Sequence, residues 1–239
     1  MMKDNVSTPN NNIDNRYNSF DDKELQKGLS LTGEDKLYYA SERVKWLGHK
    51  LQSYSFSIEN TLDFGCGDGA TTPILLDQLK LKKVVGIDIS NRSIEIAKTE
   101  YGTSSTTFYS LKEFSSSNEF DLVYTNGVFH HIQPANRLNT LSMIHHALRP
   151  NGLFAFWENN PWNIGTRIIM SRVAFDKDAI MISPSEAKKL ITTIKFNVLD
   201  VSYKFIFPNI LKRFRIFEKR LSRYPLGGQY LILAQKDTQ

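Results

Sequence analysis

The chain has 239 residues, of which 41% are hydrophobic and 23% charged, enough apolar surface for one large domain and too much for a disordered or fibrous protein. Its single cysteine, Cys66, excludes an internal disulfide framework and suits a reducing cytoplasm, where the protein is expected. The net charge is +5, the N-terminus lacks the apolar stretch of a secretory signal, and no run approaches the roughly 18 apolar residues of a membrane span.

Residues 1–18 are Asn-rich and poor in large apolar side chains, so a disordered tail is expected there. Leu37, Tyr38, Ala40, Val44, Leu47, His49 and Leu51 recur at helical spacing and predict one or two helices between Lys23 and Tyr54. A strand follows at Asn60–Phe64, running into glycines, then a helix over Ala70–Leu79. Lys83–Ile89 reads as a strand and Asn91–Glu100 as a helix. Further strands are predicted at Thr106–Tyr109 and Phe120–Tyr124. The amphipathic segment Arg137–Leu148 stops before Pro150, as helices do, and Gly152–Glu158 is a fifth strand. This alternation predicts a parallel sheet with helices on both faces. After a helix over Pro184–Ile194, two β-rich runs, Val198–Phe207 and Gln229–Ala234, predict an antiparallel pair finishing the sheet. The expected fold is α/β: a Rossmann-like seven-stranded sheet, mostly parallel, with an antiparallel C-terminal strand. Lys204, Lys212, Arg213, Arg215, Lys219, Arg220 and Arg223 crowd this last region. They read either as a solvated helix face or as a patch attracting an anionic partner.

Three motifs carry chemistry. In Leu62-Asp63-Phe64-Gly65-Cys66-Gly67-Asp68-Gly69 a strand enters a turn of alternating glycines. Glycine permits positive φ and, lacking a Cβ, lets a ligand press against the backbone. Gly65, Gly67 and Ala70 also satisfy a dinucleotide-type spacing. Asp63 argues against that reading, because a carboxylate there repels a pyrophosphate but pairs with an ammonium group. Asp88, at the end of the second strand, is placed to accept hydrogen bonds from both hydroxyls of a ribose, with Ile89 beside a base. The third motif is Phe120-Asp121-Leu122-Val123-Tyr124-Thr125-Asn126-Gly127-Val128-Phe129-His130-His131-Ile132.

Together with Leu148-Arg149-Pro150-Asn151-Gly152-Leu153-Phe154, these motifs resemble the class I S-adenosylmethionine (SAM)-dependent methyltransferases over about residues 35 to 160. The resemblance implies an enzyme that binds SAM and releases S-adenosylhomocysteine. It implies that Asp63, Gly65, Cys66, Gly67 and Gly69 cradle the methionine part and that Asp88 and Ile89 hold the adenosine. The family's usual adenine-binding acid after the third strand is missing from Tyr109-Ser110-Leu111-Lys112, leaving Ser110 and Leu111 for that task. Asn126 and Gly127 would pass beside the sulfonium. N-terminal helices often close over SAM in this family, which brings Tyr38, Tyr39, Arg43 and Trp46 to the site, with Arg43 meeting the cofactor carboxylate. Glu158-Asn159-Asn160-Pro161-Trp162-Asn163 and Pro225-Leu226-Gly227-Gly228-Gln229-Tyr230 resemble a bacterial subgroup associated with surface glycans or small metabolites. The implied organisation is one domain over 19–239, with a helical cap at 19–55, a SAM-binding core at 56–160 and an acceptor side at 161–239.

His131 is the expected general base, with Glu158 as second candidate. Adjacent side chains point apart, so only one of His130 and His131 is expected in the pocket as base, and the resemblance implies His131, which matches the histidine common at this place in the family. Tyr39, His130, Trp157, Trp162, Arg167 and Phe175 are assigned to the acceptor side. Asn160-Pro161-Trp162 follows the fifth strand and lacks a second proline, so it is not the motif of base amino-methylases. No Cys, Asp or Glu stands at ligand spacing from His145 and His146, and no metal site is expected. The expected partner is a small-molecule or carbohydrate acceptor methylated on oxygen or nitrogen, with no membrane span, no nucleic acid, and a monomer or homodimer. Two alternatives stand: an RNA methyltransferase using the basic segment, and a non-catalytic or NAD-type nucleotide-binding protein on the same fold.

Overall fold

A computed structural model describes residues 32–173 and 176–237. The expected tail at 1–18, the start of the helical cap and Phe175 lie outside the described residues. The elements are α1 (Lys36–Ser53), β1 (Asn60–Phe64), α2 (Thr72–Gln78), β2 (Lys83–Asp88), α3 (Asn91–Tyr101), β3 (Thr106–Ser110), β4 (Phe120–Asn126), α4 (Arg137–Ala147), β5 (Leu148–Asn159), α5 (Ile164–Arg172), α6 (Pro184–Thr193), β6 (Phe196–Lys204) and β7 (Gln229–Lys236). One 3-10 turn spans Phe129–His131 and another segment of 3-10 turns spans Asn209–Phe217.

The seven strands form one sheet in the order β3-β2-β1-β4-β5-β7-β6. β1 to β5 run parallel, and β7 is antiparallel to both its neighbours. The C-terminal pair therefore extends the sheet as expected, with β7 inserted between β5 and β6. Strand order reverses direction between β1 and β4. A crevice opens at such a point, beyond the carboxyl ends of the strands.

Period-two alternation divides the core. On one face Phe154 and Phe156 join Leu141 and Ile144 of α4 and Ala187 and Ile191 of α6. On the other, Leu153, Ala155 and Trp157 join Val44, Leu47 and Leu51 of α1 and Leu75 of α2. Each large side chain so buried contributes about 1.5–3 kcal/mol. Helix entries follow local chemistry: Asp35, Ser90, Asn163 and Ser183 each accept a backbone N–H of the first turn. Helix α5 was not anticipated from sequence. Among the described residues, no helix is long and apolar enough to cross a membrane.

Candidate active site

At the tip of β1, Asp63 is buried and accepts a hydrogen bond from Thr72 Oγ1 at 2.8 Å. Burial pushes its carboxyl up to about 7, against the pull of the Thr72 hydroxyl. The turn that follows needs its glycines, with φ of 74° at Gly65, 56° at Gly67 and 83° at Gly69. A Cβ on Gly67 would meet nothing within 4 Å, so that backbone faces open space. Gly69 differs: its Cβ would stand 2.8 Å from Ala97 Cβ and 3.0 Å from the Phe108 ring. It serves close packing of helix and strand rather than direct contact with a ligand.

Asp88 faces this turn from the tip of β2. Its Oδ2 accepts from Gly67 N at 2.9 Å and its Oδ1 from Ser90 N at 2.8 Å. Ser110 lies opposite Asp88 in the β2–β3 register. The Ser110 hydroxyl donates to Glu113 Oε2 at 2.8 Å, and Leu111 N donates to Asp88 O at 2.8 Å. Both groups expected to read an adenine are thus engaged within the protein. The acid absent from Tyr109–Lys112 stands one residue further on, at Glu113, which sequence reading passed over.

A cavity of about 680 Å³ opens beside the turn. Asp63, Gly65, Cys66 and Gly67 line it from β1, Asn126 and Gly127 from β4, and Tyr39 and Arg43 from α1. Arg43 is buried, its Nε donating to the Tyr124 hydroxyl and its Nη1 to Gln229 Oε1. Asn126 Oδ1 is buried without a hydrogen-bond partner among the described residues, a demand that a bound donor would satisfy. Asp88, Ile89, Ser110 and Leu111 are not part of this lining; they occupy the β2–β3 side next to it.

The far wall is apolar: Ile168, Ile169, Met170 and Val173 come from α5 and its end, Phe205, Ile206 and Phe207 from the segment after β6. Sequence reading missed these residues, although the run Ile168-Ile169-Met170 just after β5 is the signal that could have found them.

His130 and His131 both line the cavity, which corrects the expectation that neighbouring side chains would diverge. The 3-10 turn holding them brings the ring centroids to 4.1 Å. Both reach Asp176, with Oδ1 3.6 Å from His130 Nε2 and 3.4 Å from His131 Nε2. Asp176, 45 positions after His131, lies in the run Phe175-Asp176-Lys177-Asp178 that shares the resemblance to the bacterial subgroup, but the sequence assigned it no role at the site. Its chain is tied back to the turn by Ile180 N, which donates to His130 O at 2.8 Å.

Glu158 is not placed as a base. It is buried and absent from the lining, and its Oε1 accepts from Phe129 N at 2.7 Å and His130 N at 3.3 Å. Its Oε2 lies 2.7 Å from His130 Nδ1 and accepts from Asn159 N at 3.2 Å. Burial opposes the imidazolium of His130, but the carboxylates of Glu158 and Asp176 outweigh it and raise its pKa to about 10. Glu158 is held below the usual carboxylate range, His130 overcoming the cost of burial.

Three residues assigned to the acceptor do not reach the cavity. Trp157 sits at an odd position of β5 with Leu153 and Ala155, so alternation turns it into the core under α1. Trp162 is 52% exposed, and Arg167 is exposed and absent from the lining. Asn160 is a buried clamp, its Nδ2 donating to Gly227 O at 2.8 Å and Pro225 O at 3.1 Å.

The donor set fits SAM: an acid for an ammonium group, bare backbone at Gly67, a cation at Arg43 and a second acid at Asp88. Fold and site resemble those of the class I SAM-dependent methyltransferases. The methyltransferase domain family matches residues 62–154. The chain is 30% identical over 142 residues to the malonyl-[acyl-carrier protein] O-methyltransferase of Acetivibrio thermocellus, covering 57% of this chain and 49% of that protein. It is 24% identical over 142 residues to a trans-aconitate 2-methyltransferase of an Enterobacter species, covering 59% and 56%. The chain thus spans about half the length of the curated relatives it matches. Among solved structures, the plantazolicin methyltransferase BpumL in complex with S-adenosylhomocysteine aligns with a TM-score of 0.63 at 17% identity, over 95% of this chain and 97% of that one. At that identity the likeness is one of fold.

Proposed function

We propose that this protein transfers a methyl group from SAM to an oxygen or nitrogen of a small-molecule or sugar-type acceptor. One observation carries the reading: Asp63, the open backbone of Gly67 and the His131–Asp176 pair all line a single cavity. SAM supplies an activated methyl group when bound. Asp63 takes the ammonium, Arg43 the carboxylate and Asp88 the ribose hydroxyls. Asn126 and Gly127 border the path between donor and acceptor. The apolar wall from Ile168 to Val173 excludes water and holds the acceptor's body. Alignment of this kind supplies up to about 7–11 kcal/mol in favourable cases. With SAM bound, these residues would hold the acceptor's lone pair in line with the methyl group, which would pass to it as the sulfonium becomes a thioether. His131 Nε2, steered by Asp176, takes the acceptor's proton, a contribution of about 10²–10⁴-fold. The name of one relative, a malonyl-[acyl-carrier protein] O-methyltransferase, supports an oxygen acceptor, and that of another, a trans-aconitate 2-methyltransferase, supports a small-molecule acceptor.

The RNA reading loses part of its support. Lys204 is buried in an ion pair with Glu218 at 3.0 Å, and Arg215 pairs with Glu34 at 2.8 Å. The deciding experiment is thermal unfolding with SAM, S-adenosylhomocysteine or NAD. A ligand that binds only the native state raises Tm. SAM and its product are expected to raise it and NAD to leave it unchanged; the reverse pattern overturns the reading.

A further inference from the structure

We propose that His130, His131 and Asp176 form a binding site for a divalent transition cation of the zinc type on the acceptor side of the cavity. One potential ligand atom from each of His130, His131 and Asp176 lies within 4.8 Å of the other two, and both Nε2 atoms face Asp176 Oδ1. The two nitrogen–oxygen separations, 3.6 and 3.4 Å, are longer than ordinary N–H···O hydrogen bonds. They match the spacing of neighbouring ligands around a tetrahedral ion. Bonds of about 2.0–2.2 Å at the tetrahedral angle place ligand atoms about 3.4 Å apart.

The outer shell points the same way. Metal-bound histidines almost always donate their second ring N–H to a carboxylate, which fixes the tautomer and aims the ligating nitrogen. His130 has that arrangement, with Nδ1 2.7 Å from Glu158 Oε2. Glu158 is itself held by the N–H groups of Phe129, His130 and Asn159. Charge balances as well: a divalent ion with two neutral imidazoles offsets the carboxylates of Glu158 and Asp176. Two imidazoles and one carboxylate, with no thiolate among them, suit zinc and its neighbours rather than copper(I).

All three residues line the cavity, so the remaining coordination position faces the acceptor. An ion there acidifies a bound hydroxyl, as zinc lowers the pKa of its water to about 7. In the loaded protein His131 is a ligand, and the acceptor's proton leaves to solvent. This consequence rests on the methyl-transfer reading; the binding of the ion does not.

The test uses the full chain, freed of metal with a chelator, and zinc chloride alone as titrant in calorimetry. One zinc per chain is expected, with micromolar affinity or tighter. Asp176→Asn and His131→Gln should each weaken it more than about 100-fold, and Glu158→Gln about 10–100-fold. Cobalt(II) added to the wild-type chain should give the intense visible absorption of a tetrahedral site. S-adenosylhomocysteine titrated into each variant reports whether the fold and the cofactor half are intact. Absence of stoichiometric zinc binding in the wild type, or zinc affinity unmoved by both ligand variants, overturns the proposal. Zinc binding without S-adenosylhomocysteine binding overturns the methyltransferase reading and leaves the metal site standing. The opposite result overturns the metal site and leaves His131 as the base.

Discussion

The Oε2 atom of Glu158 lies 2.7 Å from Nδ1 of His130, joining the tip of β5 to the turn that leaves β4. Glu158 also accepts the backbone N–H groups of Phe129 and His130, so the turn is gripped at three points. A carboxylate with these partners positions the histidines. It does not line the cavity, whereas His131 does.

Glu158→Gln should therefore destabilise the protein strongly. Removing one partner of a buried charge pair typically costs about 3–5 kcal/mol, because the other charge is left uncompensated. Chemical unfolding of wild type and variant should show that difference; a loss below about 1 kcal/mol would contradict the anchoring function.

The same pair gives stability a defined pH dependence. The folded pKa of His130, about 10, lies above its ordinary 6.5. Its stabilisation is complete below about pH 6.5 and is lost as pH rises through about 10. Glu158 shifts downward, so its share is present above the ordinary carboxylate range and is lost as pH falls through its lowered pKa. Tm should decline progressively from about pH 6.5 to 10, and a curve that stays level across that interval would be at odds with the pairing.

Burial raises Asp63 to about 7, so near neutrality part of the protein holds it protonated. An ammonium group binds the ionised form. SAM should bind more tightly as pH rises from about 6 to 8, and calorimetry in buffers of different ionisation enthalpy should detect proton release on binding below pH 7. Uptake of a proton would place the ammonium group elsewhere.

Asp88→Ala should weaken SAM while leaving a folded protein. A hydrogen bond to a charged group contributes about 1.5–3 kcal/mol, or tenfold to about 150-fold in Kd. The Gly67 turn also loses the acceptor of its N–H. An unchanged Kd would remove Asp88 from the cofactor site.

His131→Ala separates binding from turnover. His131 stands on the acceptor side with Asp176, so SAM affinity should stay within about twofold while kcat falls by about 10²–10⁴. Matching losses in both would mean that the side chain holds the cofactor instead.

Much of the site could be read from the sequence because its signals are local. Glycines at Gly65, Gly67 and Gly69 announce a turn whatever surrounds it, and an acid closing a strand, as Asp63 and Asp88 nearly do, falls at a strand tip by chain geometry. The alternation of strands and helices likewise determined a parallel sheet with its crevice beyond the carboxyl ends. The sequence could not say which way a side chain at the end of β5 turns. Trp157 looked like a ligand-facing aromatic, but strand alternation and the packing of α1 draw it into the core. Glu158 looked like a base until the turn at Phe129–His131 wrapped over it. Asp176 became a partner of His130 and His131 only when the chain after α5 folded back, through the Ile180–His130 bond, against a turn more than 40 residues earlier. Local backbone chemistry is written in short stretches of residues. Convergence of distant side chains depends on where packed helices leave the chain, and only the tertiary structure decides that.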